Sequence, residues 1–209
     1  LMFNESLARD MGLEYLTQNS NECLDLLSGN KIYKGSRPMA MAYSGHQFGR
    51  FSPQLGDGRA HLLGEIIDKE GNLKDIQLKG SGRTPFSRRG DGKSALGPVL
   101  REYLISESMH VLGIPTTRSL AAIHTGEKVF REEESFGGIM TRVASSHLRI
   151  GSFEYAYKNK DISMVKDLAD YSISRHYPEI ASVDNSYLAF FAAVCNQQAS
   201  LIASWMTVG

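Results

Sequence analysis

The stretch from Asp75 to Leu104 constrains the fold more than any other part of the chain, because signals for a strand, a loop and a helix follow one another directly. Apolar and polar residues alternate over 73–79, which predicts a strand ending at Lys79. A proline in the first turn, a helical spacing of apolar residues and a closing glycine predict a helix over 98–112 that carries Glu102. The chain thus places one lysine and one glutamate on two elements joined by a long loop.

The loop between these two elements, Gly80–Gly97, is rich in glycine and arginine. Loops of this length are usually functional or disordered, and this composition favours function. Before the helix begins, Asp91 is the one acid among five basic residues: Lys79, Arg83, Arg88, Arg89 and Lys93. Four glycines, at positions 80, 82, 90 and 92, add backbone N–H groups to those cations. Such groups bind anions, so the loop predicts a site for a polyanion, for which the phosphates of a nucleotide fit best.

The overall composition excludes several classes of protein. Lys and Arg together number 23, the same as Asp and Glu, so the net charge is zero and a globally basic nucleic-acid binder is not expected. The two cysteines, Cys23 and Cys195, are far apart in sequence and support neither a disulfide framework nor a zinc site. The longest near-apolar run, Leu188–Cys195, is too short to span a bilayer. We therefore expect neither a nucleic acid nor a membrane as a partner.

The order of predicted elements indicates the fold class. Strands dominate the first half and helices the second, which favours an α+β fold over a doubly wound sheet. Helices are predicted over 4–16, with Asn4 as N-cap, and over 21–27, 98–112, 162–177 and 185–206; strands are predicted over 59–67, 73–79, 117–124, 128–131 and 138–142.

Three finer expectations accompany this assignment. Residues 31–54 are rich in Gly, Pro, His and Ser and predict an ordered loop with a short helix. Thr125-Gly126-Glu127 predicts a hairpin turn between two short strands. The last helix is apolar on much of its circumference, so we expect it to be buried, with Trp205 in the core.

Lys79 and Glu102 form the most specific chemical motif. A lysine on a strand that pairs with a glutamate from a packed helix is the arrangement of protein kinases, in which the carboxylate holds the ammonium group against nucleotide phosphates. The alternative is a surface lysine and a surface glutamate on unconnected elements.

Two further motifs are weaker. The turn Gly56-Asp57-Gly58-Arg59 precedes the strand over 59–67, which is the predicted antiparallel partner of the strand ending at Lys79. A tight glycine turn there would let backbone approach phosphate, although a simple β-turn is the alternative. It is neither a Walker loop nor the kinase glycine-rich loop. Arg142 and Arg149 lie seven positions apart and would meet on one helix face or across a bend. Paired guanidinium groups suit phosphate, and two solvated surface arginines are the alternative.

Six segments of the sequence resemble the selenoprotein O family, also called the YdiU family. They follow one another in order and are densest from about residue 40 to 155: Ala42–Gly49 (AYSGHQFG), Leu55–Ala60 (LGDGRA), Ile76–Pro85 (IQLKGSGRTP), Arg89–Glu107 (RGDGKSALGPVLREYLISE), Gly113–Leu120 (GIPTTRSL) and Thr141–Gly151 (TRVASSHLRIG).

The resemblance implies a protein-kinase-like fold that binds ATP in a flipped orientation and transfers AMP to Ser, Thr or Tyr hydroxyls of proteins. It implies an N-terminal helical and loop extension over 1–55, a kinase-like N-lobe with an antiparallel sheet over 56–155, and a truncated helical C-lobe over 156–209. By the same resemblance, the residues that bind ATP are Gly56, Gly58, Arg59, Lys79, Asp91, Gly92, Glu102, Arg142 and Arg149.

The resemblance also implies Mg²⁺ or Mn²⁺ bridging the phosphates. The family's catalytic aspartate, metal-binding asparagine and later metal-binding aspartate are expected beyond Gly209. We therefore expect a fragment of a longer protein, without catalytic or metal-binding residues and inactive by itself. Bacterial members of the family are cytoplasmic and eukaryotic members mitochondrial, so the cytoplasm is expected, with mitochondria as the alternative for a eukaryotic source. Two other functions stay open: a kinase-like phosphotransferase, and a non-catalytic module that binds anions or nucleotides.

Overall fold

The computed structural model describes residues 1–17 and 20–209. They form two compact units: Leu1–Ala42 with Leu55–Leu148, and Tyr43–Gln54 with Arg149–Gly209. The fold is α+β, as predicted, with an antiparallel sheet in the first unit and mainly helices in the second. The boundaries predicted at 55 and 155 for three modules stay predictions.

The first unit is built on an antiparallel sheet of six strands: β1 (Met2–Phe3), β4 (Ala60–Ile67), β5 (Leu73–Lys79), β6 (Ser94–Ala95), β7 (Arg118–Phe130) and β8 (Glu134–Ala144). Their order in the sheet is β1-β7-β8-β5-β4, with the short β6 paired to β8. The predicted antiparallel pairing of β4 with β5 is confirmed, and β5 lies between β4 and β8.

The three short strands predicted over 117–142 are two long ones, β7 and β8. The predicted turn at Thr125-Gly126-Glu127 is wrong, because these residues form an irregularity inside β7 where the register with β8 shifts between His124 and Lys128. The chain reverses instead over 131–133. A glycine in left-handed conformation serves either as a hairpin turn or as a bulge, and here Gly126, with φ of 78°, lies in the bulge.

Two N-terminal helices, α1 (Glu5–Asp10) and α2 (Ser20–Ser28), pack through apolar side chains against the sheet. Asn4 caps α1 as predicted, because its side-chain oxygen accepts the Leu7 N–H at 3.0 Å. The predicted helix over 4–16 is interrupted at Gly12, whose φ is 69°, and a 3₁₀ turn follows over Glu14–Thr17. The buried cluster comprises Leu7, Ala8, Met11, Leu16, Cys23, Leu26, Leu27, Leu120, Ala121, Ile123, Ile139 and Val143.

Helix α3 (Leu96–Val111) packs against β7 and β8 and carries Glu102. It begins two residues before the predicted start, and Pro98 lies in its first turn, where the missing N–H has no intrahelical acceptor to lose. Its C-terminal half is held by Glu107, which accepts hydrogen bonds from Arg118 Nη2 at 2.7 Å and from the Ser119 N–H at 2.9 Å. These contacts attach α3, the helix that carries Glu102, to the start of β7.

The second unit contains the hairpin of β2 (Gly45–Gln47) and β3 (Arg50–Ser52) and the helices α4 (Ile150–Lys158), α5 (Ile162–His176) and α6 (Ser186–Met206). The short helix predicted within 31–54 is therefore wrong, and α4 was not predicted. The burial predicted for α6 is also wrong: none of its residues is buried, and Trp205 is 52% exposed. Apolar periodicity shows that a helix has an apolar face but does not show which segment packs against that face. In the described part of the chain, no helix combines the length and apolarity needed to cross a membrane.

Candidate functional site

The predicted Lys79–Glu102 ion pair is present in the first unit. Lys79 is the last residue of β5, and its Nζ donates a hydrogen bond to Glu102 Oε2 on α3. Both side chains are about 30% exposed, at 30% and 29%, so the pair is held by packing yet reachable from solvent. The expectation that these two residues meet is confirmed, whereas the predicted contact of Lys79 with nucleotide stays a prediction.

Arg142 joins this pair from the neighbouring strand. Its Nη1 donates to Glu102 Oε1 at 3.3 Å, so the two oxygens of one carboxylate hold two cations. Only 11% of the Arg142 side chain is exposed. A lysine and an arginine bridged by one glutamate carry a net positive charge, which attracts an anion of matching geometry.

Gln77 is part of the site and was missed by the sequence analysis. It lies two positions before Lys79 on β5, opposite Arg142 in the register with β8, and is fully buried. Its side-chain oxygen accepts from Arg142 Nη2, and its amide donates to Asp57 Oδ2 at 3.3 Å. The only signal in the sequence was the period of two from Lys79, which puts both side chains on one face of the strand.

The turn at Gly56-Asp57-Gly58 packs against the arginine-rich loop. Gly56 has φ of 62°, and a Cβ there would lie 2.2 Å from the ring of Phe86. At Gly58 a Cβ would lie 3.0 Å from the Phe86 carbonyl oxygen. The observed close approach that requires these glycines is therefore to the loop, and their predicted contact with nucleotide stays a prediction.

Side-chain hydrogen bonds pin the arginine-rich loop to the same turn. Thr84 Oγ1 donates to the Asp57 carbonyl at 2.6 Å, and Ser87 Oγ donates to the Gly58 carbonyl at 2.7 Å. The loop is thus an ordered feature whose exposed arginines are Arg83, Arg88 and Arg89. Arg59, at the end of the turn, is exposed as well.

The predicted site residues Asp91 and Gly92 lie where this loop returns to the sheet. Asp91 is ion-paired with Arg131 at 2.8 Å. The hydrogen bonds from the Arg131 guanidinium, followed by that from the Lys93 N–H, hold the pKa of the Asp91 carboxyl below its usual range. Asp91 is therefore a charged, protein-bound carboxylate at neutral pH, and its predicted contact with nucleotide stays a prediction.

Arg149 belongs to the second unit. It is the N-cap residue of α4, and its guanidinium carbon lies 4.7 Å from the centroid of the Tyr43 ring. The shared helix face suggested for Arg142 and Arg149 is wrong, because Arg142 is on β8. The role of Arg149 in a common site stays a prediction.

Among the residues that the structure describes, no group of three or more His, Cys, Asp or Glu side chains is arranged to hold a metal ion. Lys79 and Arg142, both paired to the one carboxylate of Glu102, make the assembled site cationic and offer binding groups for an anion.

Comparison with known proteins identifies the family of the chain. The family profile described as Protein adenylyltransferase SelO matches residues 1–209. Proteins named "Protein nucleotidyltransferase YdiU" are similar over essentially all of this chain: 56% identical over 209 residues in Rhizobium johnstonii, 56% over 206 residues in Methylorubrum populi and 57% over 210 residues in Cereibacter sphaeroides. The matched regions cover 100%, 99% and 100% of this chain and 42%, 41% and 44% of the relatives.

The matching family is described as a protein adenylyltransferase, and the curated relatives are named protein nucleotidyltransferases. The chain belongs to the SelO family, as the sequence motifs predicted. It spans somewhat less than half the length of the curated relatives it matches.

Proposed function

We propose that the protein to which this chain belongs is a protein adenylyltransferase that transfers AMP from ATP to Ser, Thr or Tyr hydroxyls of other proteins. The observation that carries the proposal is the ion pair between Lys79 and Glu102, extended by Arg142 on the other carboxylate oxygen. Membership of the SelO family supplies the reaction class, because the family description names a protein adenylyltransferase.

Within this proposal, Glu102 works as an orienting group. A lysine side chain has four rotatable bonds and loses much conformational entropy when it is held in one conformation. Glu102 fixes Lys79 in the free protein, so part of that cost is met before ATP binds. Arg142 is oriented by Gln77 and Glu102, and its planar donors suit phosphate oxygens.

The remaining proposed contacts follow from the family resemblance. Gly56, Gly58 and Arg59 contact the nucleotide from the turn before β4, Asp91 and Gly92 contact it from the end of the loop, and Arg149 supplies a second guanidinium group to the phosphates. The pinning of the loop to the turn supports this assignment, because it keeps the two backbone segments next to each other.

The architecture that we propose is kinase-like, with an N-lobe over 56–155 and the beginning of a helical C-lobe over 156–209. The antiparallel sheet and the helix carrying Glu102 support the first part. The catalytic aspartate and the metal ligands are proposed to follow Gly209, which fits the coverage of 41–44% of the relatives. Because the relatives reported above are bacterial, the cytoplasm is the proposed compartment.

In the reaction, the acceptor hydroxyl oxygen forms a bond to the α-phosphorus while the bond from that phosphorus to the bridging oxygen breaks. Pyrophosphate leaves, and the hydroxyl proton passes to a base. Lys79 and Arg142 hold the phosphates and stabilise the charge that develops on the leaving group. Mg²⁺ or Mn²⁺ would neutralise phosphate charge when bound, and none of the described residues is assigned as its ligand.

The decisive experiment uses the whole protein with ATP labelled either at the α-phosphate or at the γ-phosphate and a mixture of acceptor proteins. The α-label is expected to mark acceptors and the γ-label is not. The Lys79→Met variant is expected to lose labelling, whereas Lys74→Met on the same strand, paired to Asp68 at 3.6 Å, is a matched control that keeps it.

The experiment also separates the alternatives. Labelling from the γ-phosphate alone would identify a phosphotransferase. A non-catalytic module would show no label from either position. RNA binding that falls steeply with salt and is unaffected by Lys79→Met would favour a polyanion-binding module instead. Residues 1–209 by themselves are expected to bind ATP weakly and to transfer nothing, so robust labelling by that fragment would contradict the assignment of the catalytic groups beyond Gly209.

A further inference from the structure

The end of the arginine-rich loop is closed by backbone contacts. Ser81 and Lys93 form an antiparallel bridge, and the Gly82 N–H donates to the Gly92 carbonyl at 3.3 Å. Gly92 has φ of 70°, and a Cβ there would lie 1.9 Å from the Gly82 carbonyl oxygen. We call these two facing segments, 81–82 and 92–93, the neck of the loop. They are in direct backbone contact, so a small movement of one segment displaces the other.

Arg131 holds the neck from the hairpin between β7 and β8. Its Nη1 donates to Asp91 Oδ2 at 3.0 Å and its Nη2 to Asp91 Oδ1 at 2.8 Å, a two-pronged contact of guanidinium with carboxylate. The same Nη2 donates to the Lys93 carbonyl at 2.8 Å. Arg131 thus contacts the residues on both sides of Gly92.

A second ion pair joins the same two segments. Lys93 Nζ lies 2.6 Å from Glu127 Oε2, and the Lys93 N–H donates to Asp91 Oδ1 at 2.9 Å. The segment 91–93 is therefore fixed to β7 and its following turn by two side chains. One hydrogen bond could rotate, but a two-pronged contact with a second anchor allows little rotation.

We propose that Arg131 is a positioning residue that holds Asp91 and Gly92 in place for the nucleotide. This inference rests on the proposed function, because Asp91 and Gly92 are nucleotide contacts only within it. Arg131 acts in two ways. It sets the backbone of the segment through Asp91 and the Lys93 carbonyl, and it neutralises the Asp91 carboxylate, which otherwise would repel a nearby triphosphate.

The Arg131–Asp91 ion pair is expected to contribute more to the geometry of the neck than to the stability of the fold. Both side chains are partly open to solvent, at 37% for Arg131 and 43% for Asp91, and ion pairs of this exposure contribute little to global stability. Loss of Arg131 is therefore expected to leave the folded protein intact and to free the neck. If Arg131 only stabilised the fold, its loss would lower the stability of the whole protein and would not act on the neck alone.

The test uses the whole protein and ATP as the probe. Arg131→Ala is expected to raise the Kd and the KM for ATP about three- to tenfold, with kcat at saturating ATP within about twofold of the parent. Arg131→Lys keeps the charge and loses the second prong, so it is expected to recover part of the affinity. Amide hydrogen exchange in 80–93 without ATP is expected to be faster in Arg131→Ala.

Lys128→Ala is the matched control. Lys128 pairs with Glu134 at 2.9 Å in the same hairpin, with a comparable exposure of 45% and 50%, and its ammonium group lies 3.9 Å from the centroid of the Phe136 ring. It is expected to leave ATP affinity and exchange in 80–93 unchanged. Asp91→Asn, alone and combined with Arg131→Ala, tests the pathway. If Arg131 acts through Asp91, the double variant loses little more affinity than either single variant, and full additivity overturns the role of Arg131.

The outcomes separate the two proposals. An unchanged Kd for Arg131→Ala, or an equal loss for Lys128→Ala, overturns the role of Arg131 while nucleotide binding stands. A parallel fall in kcat and melting temperature, without a change in KM, also overturns it. Failure of the parent protein to bind ATP at all overturns the proposed function and this inference together.

Discussion

Gln77 and Arg142 lie opposite each other on β5 and β8, and the Arg142 guanidinium donates to the side-chain oxygen of Gln77 in a site with almost no solvent. Gln77 in turn donates to Asp57. The glycine turn, two central strands and α3 are thereby joined through one chain of polar side chains that ends at Lys79. The geometry of the candidate site depends on this buried chain as much as on the exposed cations.

Replacement of Gln77 by leucine tests that dependence. The change keeps a similar volume but removes an acceptor from a buried guanidinium group, which is expected to cost about 1–3 kcal/mol in the free energy of unfolding. Urea denaturation measures the loss. In the double variant with Arg142→Met the cost is expected to be smaller than the sum of the single costs, and simple additivity would show that the two side chains do not depend on each other.

Glu102→Gln tests the orientation of Lys79. The amide is isosteric but uncharged and keeps only one acceptor oxygen. One of the two cations therefore loses its hydrogen bond to residue 102, at a cost of about 1.5–3 kcal/mol, and both lose the ion pair. We expect ATP affinity of the whole protein to fall about tenfold or more, measured by calorimetry. Glu65→Gln, at an exposed position on β4, serves as the control with an equal change in charge. Equal ATP affinities of the parent and Glu102→Gln would show that the Lys79–Glu102 ion pair does not contribute to nucleotide binding.

Glu107 predicts a pH dependence of stability. Burial opposes its ionisation, yet the hydrogen bonds from Arg118 and the Ser119 N–H outweigh burial and lower the pKa of Glu107 below its usual 4.5. A carboxyl whose pKa is lower in the folded state stabilises the protein above its unfolded pKa, and that contribution is lost as the pH falls through its folded pKa.

Thermal unfolding from about pH 7 to about pH 3 checks this linkage. Glu107→Gln is expected to be less stable than the parent at neutral pH, with the difference shrinking as the solution is acidified. Glu132→Gln, in the exposed turn after β7, is expected to follow the parent at every pH. A difference that stays constant with pH would show that ionisation of Glu107 does not contribute.

Gly92→Ala tests the neck of the loop. Left-handed backbone costs an alanine about 1–2 kcal/mol, and the collision with Gly82 adds about 1–3 kcal/mol because the neck must open. Gly113 is a matched control, since its φ of 75° is similar and a Cβ there would meet nothing within 4 Å. We expect Gly92→Ala to lose more stability and more ATP affinity than Gly113→Ala. Equal losses would mean that only the backbone angle matters.

Local patterns in the sequence predicted the elements that carry the main motif. The alternation before Lys79 predicted β5, and the proline and glycine around 98–113 predicted α3. Asn4 was identified as a cap from its type and position. Periodicity and capping depend on residues a few positions apart, so they can be recognised without a tertiary structure.

The errors have a common physical cause. Gly126 has a turn signal, but pairing of β8 with both halves of β7 makes it a bulge. The apolar pattern of α6 is real, but its burial depends on which surfaces lie against it, and Trp205 stays exposed. In each case a local preference allows two outcomes, and contacts between distant segments select one.

The sequence by itself determined the family and the class of fold, because these depend on local patterns and on motifs of fixed order, and it predicted the elements that carry Lys79 and Glu102. Only the tertiary structure decided that Gln77 supports Arg142 and that Arg131 holds Asp91. Those partners are 65 and 40 positions apart. Strand register and the path of the β7–β8 hairpin bring them together, and no periodicity within a single element encodes either.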